Sequence, residues 1–322
     1  MGETENKGLE IALDGVIIDK ENIGLSFGFN IGFNKNKIVS LGTMNDFGQA
    51  TGWASTEIGN DYWIAVGGSV GEMYGYQSDG RYEVSDFDYD AETETWTLKP
   101  GIADATAIVG TLRPGMIKLK NIKGEDDLVT IEDCSVIGNA NPKNTGGFNI
   151  YGNAFGFDLA AVFSWSYGND IYNANKVEYT TGRYQFRNMI DVMADGKRWI
   201  NIDADGNLVN DPATLEALNA NTTMWSPYMS RHVFSDWAVE DGSYLRLNTL
   251  SLGYTIPPML TKKAHIQNIR LYASAYNVFL LTDYTGFDPE VSSRRNTVLT
   301  PGLDYSAYPK SRQLIFGLNL TF

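Results

Sequence analysis

The sequence predicts an all-β fold, an antiparallel transmembrane β-barrel wall, on three observations. Apolar and polar residues alternate in runs of roughly 9–11 residues, the length of a tilted membrane strand, where ~5–6 residues is commoner in soluble sheets. The apolar faces of these runs carry aromatic rings towards the strand ends, as at Trp165 and Tyr167, while the opposite faces are largely Gly, Ser, Asn and Thr. The chain also closes on an alternating strand whose final residue is Phe322, where soluble domains usually end in a frayed polar tail.

In chain order, the first candidate strand is Leu9–Ile18. In the second, Leu25, Phe27, Phe29, Ile31 and Phe33 alternate with Ser26, Gly28, Asn30, Gly32 and Asn34. Gly146–Phe155 follows, and then Phe157, Leu159, Ala161, Phe163, Trp165 and Tyr167 are set against Asp158, Ala160, Val162, Ser164 and Ser166. Successive side chains of a strand point to opposite faces, so each run has one apolar and one small or polar face. In Tyr244–Ile256 the apolar phase slips by one residue between Leu247 and Leu250, which predicts a β-bulge. Ile269–Leu280 is the sixth strand. In the seventh, Phe316, Leu318, Leu320 and Phe322 share a face and resemble the terminal signal that outer-membrane assembly machinery reads. Two long loop regions separate these strands. Residues 48–145 are rich in Gly, Tyr and acidic residues, with strand-like pieces at Arg81–Phe87 and Thr95–Leu98; residues 169–236 mix polar loop with helix-like segments such as Asp211–Ala220. Long connections at one end and short ones at the other are expected of outer-membrane barrels.

Composition narrows the function. With 25 basic against 39 acidic residues and a net charge of −14, no surface tracks nucleic-acid phosphates. One cysteine, Cys134, forms no internal disulfide, and with only His232 and His265 beside it there is no expected zinc site or Cys–His nucleophile. Gly67-Gly68 lacks the Lys-Ser/Thr that a phosphate loop needs, and no motif singles out one catalytic carboxylate pair, so no enzyme active site is expected. No run reaches the ~18–20 apolar residues of a spanning helix, and the polar Met1–Lys7 is no secretory signal peptide. The mean hydropathy of −0.24 is neutral evidence, since barrel strands average out.

Two constellations could hold ligands. Asn201, Asp203 and Asp205, followed by Gly206, have the alternating oxygens of a Ca²⁺ loop, but Pro212 stands where a bidentate Glu belongs; an Asp/Gly turn is the competing reading. Asp86, Asp88 and Asp90 alternate without the glycine. Trp199, Trp225, Tyr228 and Trp237 lie in or beside the second loop region, where aromatic faces could stack on sugar rings or simply fill the loop interior.

The stretch Glu240-Asp241-Gly242-Ser243-Tyr244-Leu245-Arg246-Leu247, then Leu252-Gly253-Tyr254-Thr255-Ile256-Pro257, resembles the "edGSYLRl…LGYtiP" segment of SusC/RagA-like TonB-dependent transporters. Asn277-Val278-Phe279 and Tyr284-Thr285-Gly286-Phe287-Asp288-Pro289-Glu290 are similar to that family's "Nlf…YtGfDPE", and Tyr308-Pro309 through Arg312 to Phe322 resembles its closing strand. Looser likeness runs upstream through Gly71–Tyr82, Pro114–Lys118 and Ile137–Lys143. The family's acidic "D.NGDG.I…D" loop is replaced here by Leu119-Lys120-Asn121-Ile122-Lys123-Gly124-Glu125-Asp126, which has lost its alternating oxygens.

The resemblance implies the C-terminal part of a large ~22-stranded barrel, without signal peptide, N-terminal β-domain, TonB-contacting segment or plug. About seven strands enclose no substrate-sized lumen, so further strands or a partner chain are expected. The implied activity is import across the outer membrane of a Gram-negative bacterium. A SusD-like surface lipoprotein would capture an oligosaccharide or peptide, the TonB complex would supply energy through the missing N-terminal part, and Phe27, Phe163 and Phe316 would face lipid. No cofactor is implied beyond the possible Ca²⁺. The alternative is a soluble or surface-attached carbohydrate-binding β-protein without transport.

Overall fold

The structure is a computed structural model and describes every residue except 1, 55–56, 125, 185, 230, 263–264 and 294–296. Seven strands form one continuous antiparallel sheet: β1 (Glu3–Lys20), β2 (Ile23–Ser40), β3 (Asn144–Ala154), β4 (Phe157–Tyr167), β5 (Tyr244–Thr255), β6 (Asn268–Thr282) and β7 (Gln313–Thr321), paired in that order. The seven runs read from sequence are these strands. β1 and β2 continue beyond the alternating stretch, because backbone pairing persists after the side chains turn polar: Lys7 faces Lys35 and Asn6 faces Asn36.

Register makes the sheet two-faced. One cross-strand row runs Ile18, Leu25, Gly152, Leu159, Leu252, Ala273, Phe316 across all seven strands. A second runs Leu13, Phe29, Phe148, Phe163, Leu247, Phe279, with the Phe148 and Phe163 rings stacked 4.2 Å apart. On the reverse face the matching row is Asp14, Gly28, Asn149, Val162, Thr249, Tyr276, Gln313. On the apolar face Leu13, Leu314 and Phe316 stand exposed. Along β1 the apolar stretch from Leu9 to Ile18 rises about 33 Å, which at the usual barrel tilt is about the 25 Å height of a lipid-facing band. Aromatic rings lie towards both of its edges, Trp165 and Tyr167 at one, Phe157 and Tyr254 (4.5 Å apart) at the other.

The predicted bulge lies at Asn248, where register against both β4 and β6 steps between Leu247 and Thr249. Its side-chain amide donates to Ser164 Oγ at 2.8 Å. By absorbing one residue, the bulge returns Leu250 and Leu252 to the face of Leu247, and the phase slip in the sequence disappears in three dimensions.

The two ends of the sheet differ. At one end β1–β2 and β3–β4 turn in two residues each; Phe155 and Gly156 both adopt positive φ (50° and 90°), the two-residue geometry that matches strand twist. β5 and β6 are joined there by residues 256–267. At the other end the connections are residues 41–143, 168–243 and 283–312. The third of these was not expected as a loop region. The helix Pro212–Asn219, capped by Asp211 accepting from the Thr214 N–H, occupies the helix-like segment. Arg81–Phe87 is not one strand: Asp86 Oδ2 accepts from the Glu83 N–H at 3.1 Å and closes a 3-10 turn, Val84–Asp86, between two short strands.

The long connections fold together into a cap, and there the buried core lies. Tyr62 and Met73 from the first, Tyr172 and Phe234 from the second and Leu303 from the third form one cluster. Tyr62 Oη donates to the Pro301 carbonyl at 2.5 Å, and the Trp53 indole donates to Tyr172 Oη at 2.6 Å. β2 feeds directly into the cap, with Ile38 N–H donating to the Gly68 carbonyl at 2.8 Å.

Two predictions follow from these faces and this core. Leu250→Arg, on the apolar face, should destabilise the inserted sheet by about 2–4 kcal/mol, whereas Ser251→Arg on the reverse face should insert normally; heat-modifiable gel mobility after folding into bilayers reads the contrast. In the cap, burial pushes the Asp61 carboxyl up to about 6 from 3.8, against hydrogen bonds from Thr51 that pull it down. Its folded value lies above its unfolded one, so its contribution is fully present below pH 3.8 and lost as pH rises through 6. Cap melting followed by near-ultraviolet dichroism should therefore weaken between pH 4 and 7, and Asp61→Asn should flatten that dependence.

Candidate functional site

The reverse, polar face of the sheet leads into the cap, and one arginine fastens the two together. Arg246 on β5 is 2 % exposed although it sits on the polar face, because the connection 283–312 folds back over it. Its guanidinium donates to Asp288 Oδ1 at 2.7 Å and to Asn277 Oδ1 at 2.6 Å, and its Nε lies 3.1 Å from Glu290. The Tyr244 hydroxyl donates to Glu290 at 2.8 Å, and Lys310 also pairs with Glu290. Burial pushes the Glu290 carboxyl up, but the hydrogen bonds from Lys310 and Tyr244 and the two cations outweigh it and hold the group below the usual range. Asp288 is itself 4 % exposed, so neither partner can be satisfied by water if the other is removed.

The same connection is tied across itself at one further point and to the connection 168–243 at two. Tyr284 Oη donates to Asp304 at 2.6 Å; the Thr285 N–H and hydroxyl both donate to Glu240 at 2.9 Å; the Ser306 N–H donates to Asn175 at 3.0 Å. Held this way, its two limbs wall a cavity of about 1000 Å³ against the short helix Ala174–Glu178, residues 190–192 and Trp237. Lys176 lies on its floor, 4.2 Å above the Trp237 ring and 3.6 Å from Glu240. Burial lowers the lysine pKa while Glu240 works against that shift. Phe287 and Tyr308, at the rim, are 71 % and 91 % exposed.

Of the four aromatic residues picked out by sequence, Trp237 alone lines this cavity. Trp225 is buried and meets Trp237 edge-on at 4.7 Å. Trp199 is buried under the Arg81 guanidinium, and a Cβ on the neighbouring Gly115, which has φ +88°, would collide with its ring. Tyr228 stands exposed elsewhere on the cap. Sequence reasoning passed over Lys176, Phe287 and Tyr308 as site residues; Phe287 and Tyr308 lay inside quoted motifs, and that was the available signal.

At Asn201, Asp203 and Asp205 the chain makes an Asx-type turn. Asp203 accepts from the Asn207 N–H at 2.8 Å, the Asp205 N–H at 2.9 Å and the Asn207 amide, which hold its carboxyl low. Among the described residues, no three His, Cys, Asp or Glu side chains gather as a metal site. Glu125, in the stretch that replaces the acidic loop, lies outside the described residues. Phe316, Leu318 and Leu320 are exposed on the apolar face of β7, and Phe322 follows that strand.

No family model matches the chain. It is 31 % identical over 333 residues to TonB-dependent receptor P3 of Formosa agariphila, covering all of this chain and 29 % of that protein. It is 33 % identical over 90 residues to the TonB-dependent receptor SusC of Bacteroides thetaiotaomicron, covering 27 % of this chain and 8 % of the receptor. Among solved structures, the RagAB peptide transporter superposes on the whole chain with a TM-score of 0.67 at 20 % identity, using 30 % of that chain, a likeness of fold. The chain thus spans about three-tenths of the length of the full-coverage relatives.

Replacing Arg246 by Met should leave the buried Asp288 with only Lys310, 4.0 Å away, as a cation, costing up to about 3–5 kcal/mol. Limited proteolysis should then cut within 283–312 far faster, and adding Asp288→Asn should restore most of the protection.

Proposed function

Because the chain is homologous along its whole length to TonB-dependent receptors, and over 90 residues to SusC, we propose that it forms barrel wall and outer cap of an outer-membrane nutrient importer. The observation that carries this reading is the apolar row that crosses all seven strands without a polar interruption, backed by a wholly different reverse face. A sheet of this width with one such face has no aqueous partner for it, and lipid supplies one. The reverse face would then line the passage, and the cap, on the side of the long connections, would face outside. The two-residue turns would face the periplasm.

The cargo in this proposal is an oligosaccharide or a peptide, delivered by a SusD-like surface lipoprotein seated on the cap. TonB-linked energy and a plug would be supplied from outside these 322 residues, since seven strands enclose no substrate-sized lumen by themselves. Nothing in the site calls for covalent chemistry. Arg246, Lys310 and Lys176 are paired with carboxylates, and its large surfaces are aromatic.

Fractionation of the source cells tests the proposal. The protein should partition with the outer membrane, resist alkaline extraction and precipitate when detergent is withdrawn. A monodisperse protein in the soluble fraction would overturn the proposal in favour of a soluble carbohydrate-binding module.

A further inference from the structure

Resting on the import reading, we infer that the cavity between the cap and the connection 283–312 is a subsite for a neutral saccharide, with Phe287 and Tyr308 as its stacking platforms. Its position is the first argument. The rim residues belong to the segment that Arg246 and Asn277 hold against the polar face: Phe287 precedes Asp288, and the Lys310 carbonyl, two residues after Tyr308, accepts from the Asn277 amide. The rim segment is therefore fastened to the side of the sheet that carries polar residues, not to the exposed Leu and Phe rows.

Its chemistry is the second argument. The half-buried aromatic rings around the floor are already engaged: Trp237 by Lys176 and Trp225, and Tyr179 by Arg187. Phe287 and Tyr308 take part in no ring-stacking or cation–ring pair among those found in the described residues, yet they are the most exposed rings beside the cavity. Two uncovered rings at the rim of a chamber of about 1000 Å³ offer flat apolar faces of the kind that the C–H side of a sugar ring covers. Asp191, exposed at the wall, is an acceptor for hydroxyl groups.

The floor also disfavours a peptide. Lys176 is held by Glu240 and by the Trp237 ring, so it is not free to capture a C-terminal carboxylate. Among the described residues, Asp170–Asn173 runs between Val239–Asp241 and Leu303–Asp304, and Asn173, its residue at the chamber, pairs with Asp304. Terminal-charge capture, a common way of binding a peptide end, is closed here.

The test uses the full-length protein purified in detergent from cells grown on a medium holding both polysaccharide and peptide digests. Co-purifying material is released and identified by mass spectrometry. The wild type should carry oligosaccharide, Phe287→Ala/Tyr308→Ala should carry about tenfold less, and Tyr308→Phe should keep it, because the ring remains. Peptide lost in the double variant would overturn the saccharide assignment. Oligosaccharide retained by the double variant would overturn the site, and a wild type carrying no ligand would overturn both. Fractionation of the same cells separates this from the import reading: a saccharide-bearing protein found in the soluble fraction fails that reading alone.

Discussion

Cross-strand register on a two-faced sheet is the constraint from which the rest of this structure follows. A slip of one residue in any strand would exchange its Leu and Phe for Ser and Asn on both faces. Seven strands agree, and where β5 breaks the alternation, the bulge at Asn248 restores agreement within three residues. The bulge is needed because β5 is paired on both sides and can neither slip nor fray. The price of an uninterrupted apolar face is that the sheet has no core of its own in water.

That absence explains the cap. With no sheet interior to pack against, the long connections build their own apolar clusters from residues far apart in sequence; Tyr62, in one of them, bonds Pro301, 239 positions away. The cap must also be joined to the wall. β2 does so by running on beyond the apolar band until Ile38 bonds Gly68, and Arg246 does so with charge. An arginine on the polar face would normally be solvated; here the connection 283–312 covers it and its carboxylate partners are brought along. The motif residues from Tyr244 to Leu247 and from Tyr284 to Glu290, distant in sequence, are thus the two halves of one joint.

Sequence reached the wall and stopped at the cap, for a physical reason. The wall obeys period two, a local rule, so its strands were readable nearly to their ends, and even the bulge showed as a phase slip. The cap obeys no period. Its connection 283–312 carries no long alternating run, and its motif drew attention away from its being a loop. Aromatic residues in such a region can be interior or exposed with equal local plausibility. Trp199 and Trp225 became interior, while Trp237 reached the cavity edge only because Lys176 and Trp225 hold it there. The rings left uncovered, Phe287 and Tyr308, are identifiable only once all the other rings have been paired.

The joint at Arg246 also bears on how such a site could respond to its cargo. Phe287 is adjacent to Asp288, so any ligand that moves the ring moves a carboxylate bound to a buried guanidinium. Buried pairs of this kind are costly to separate and tolerate few intermediate geometries. The segment is therefore held in one place while the joint is intact, and the cavity keeps its shape. A loosely tethered loop would collapse onto its own exposed rings; the ionic joint keeps those rings apart and facing solvent, which is the state in which a sugar face can reach them.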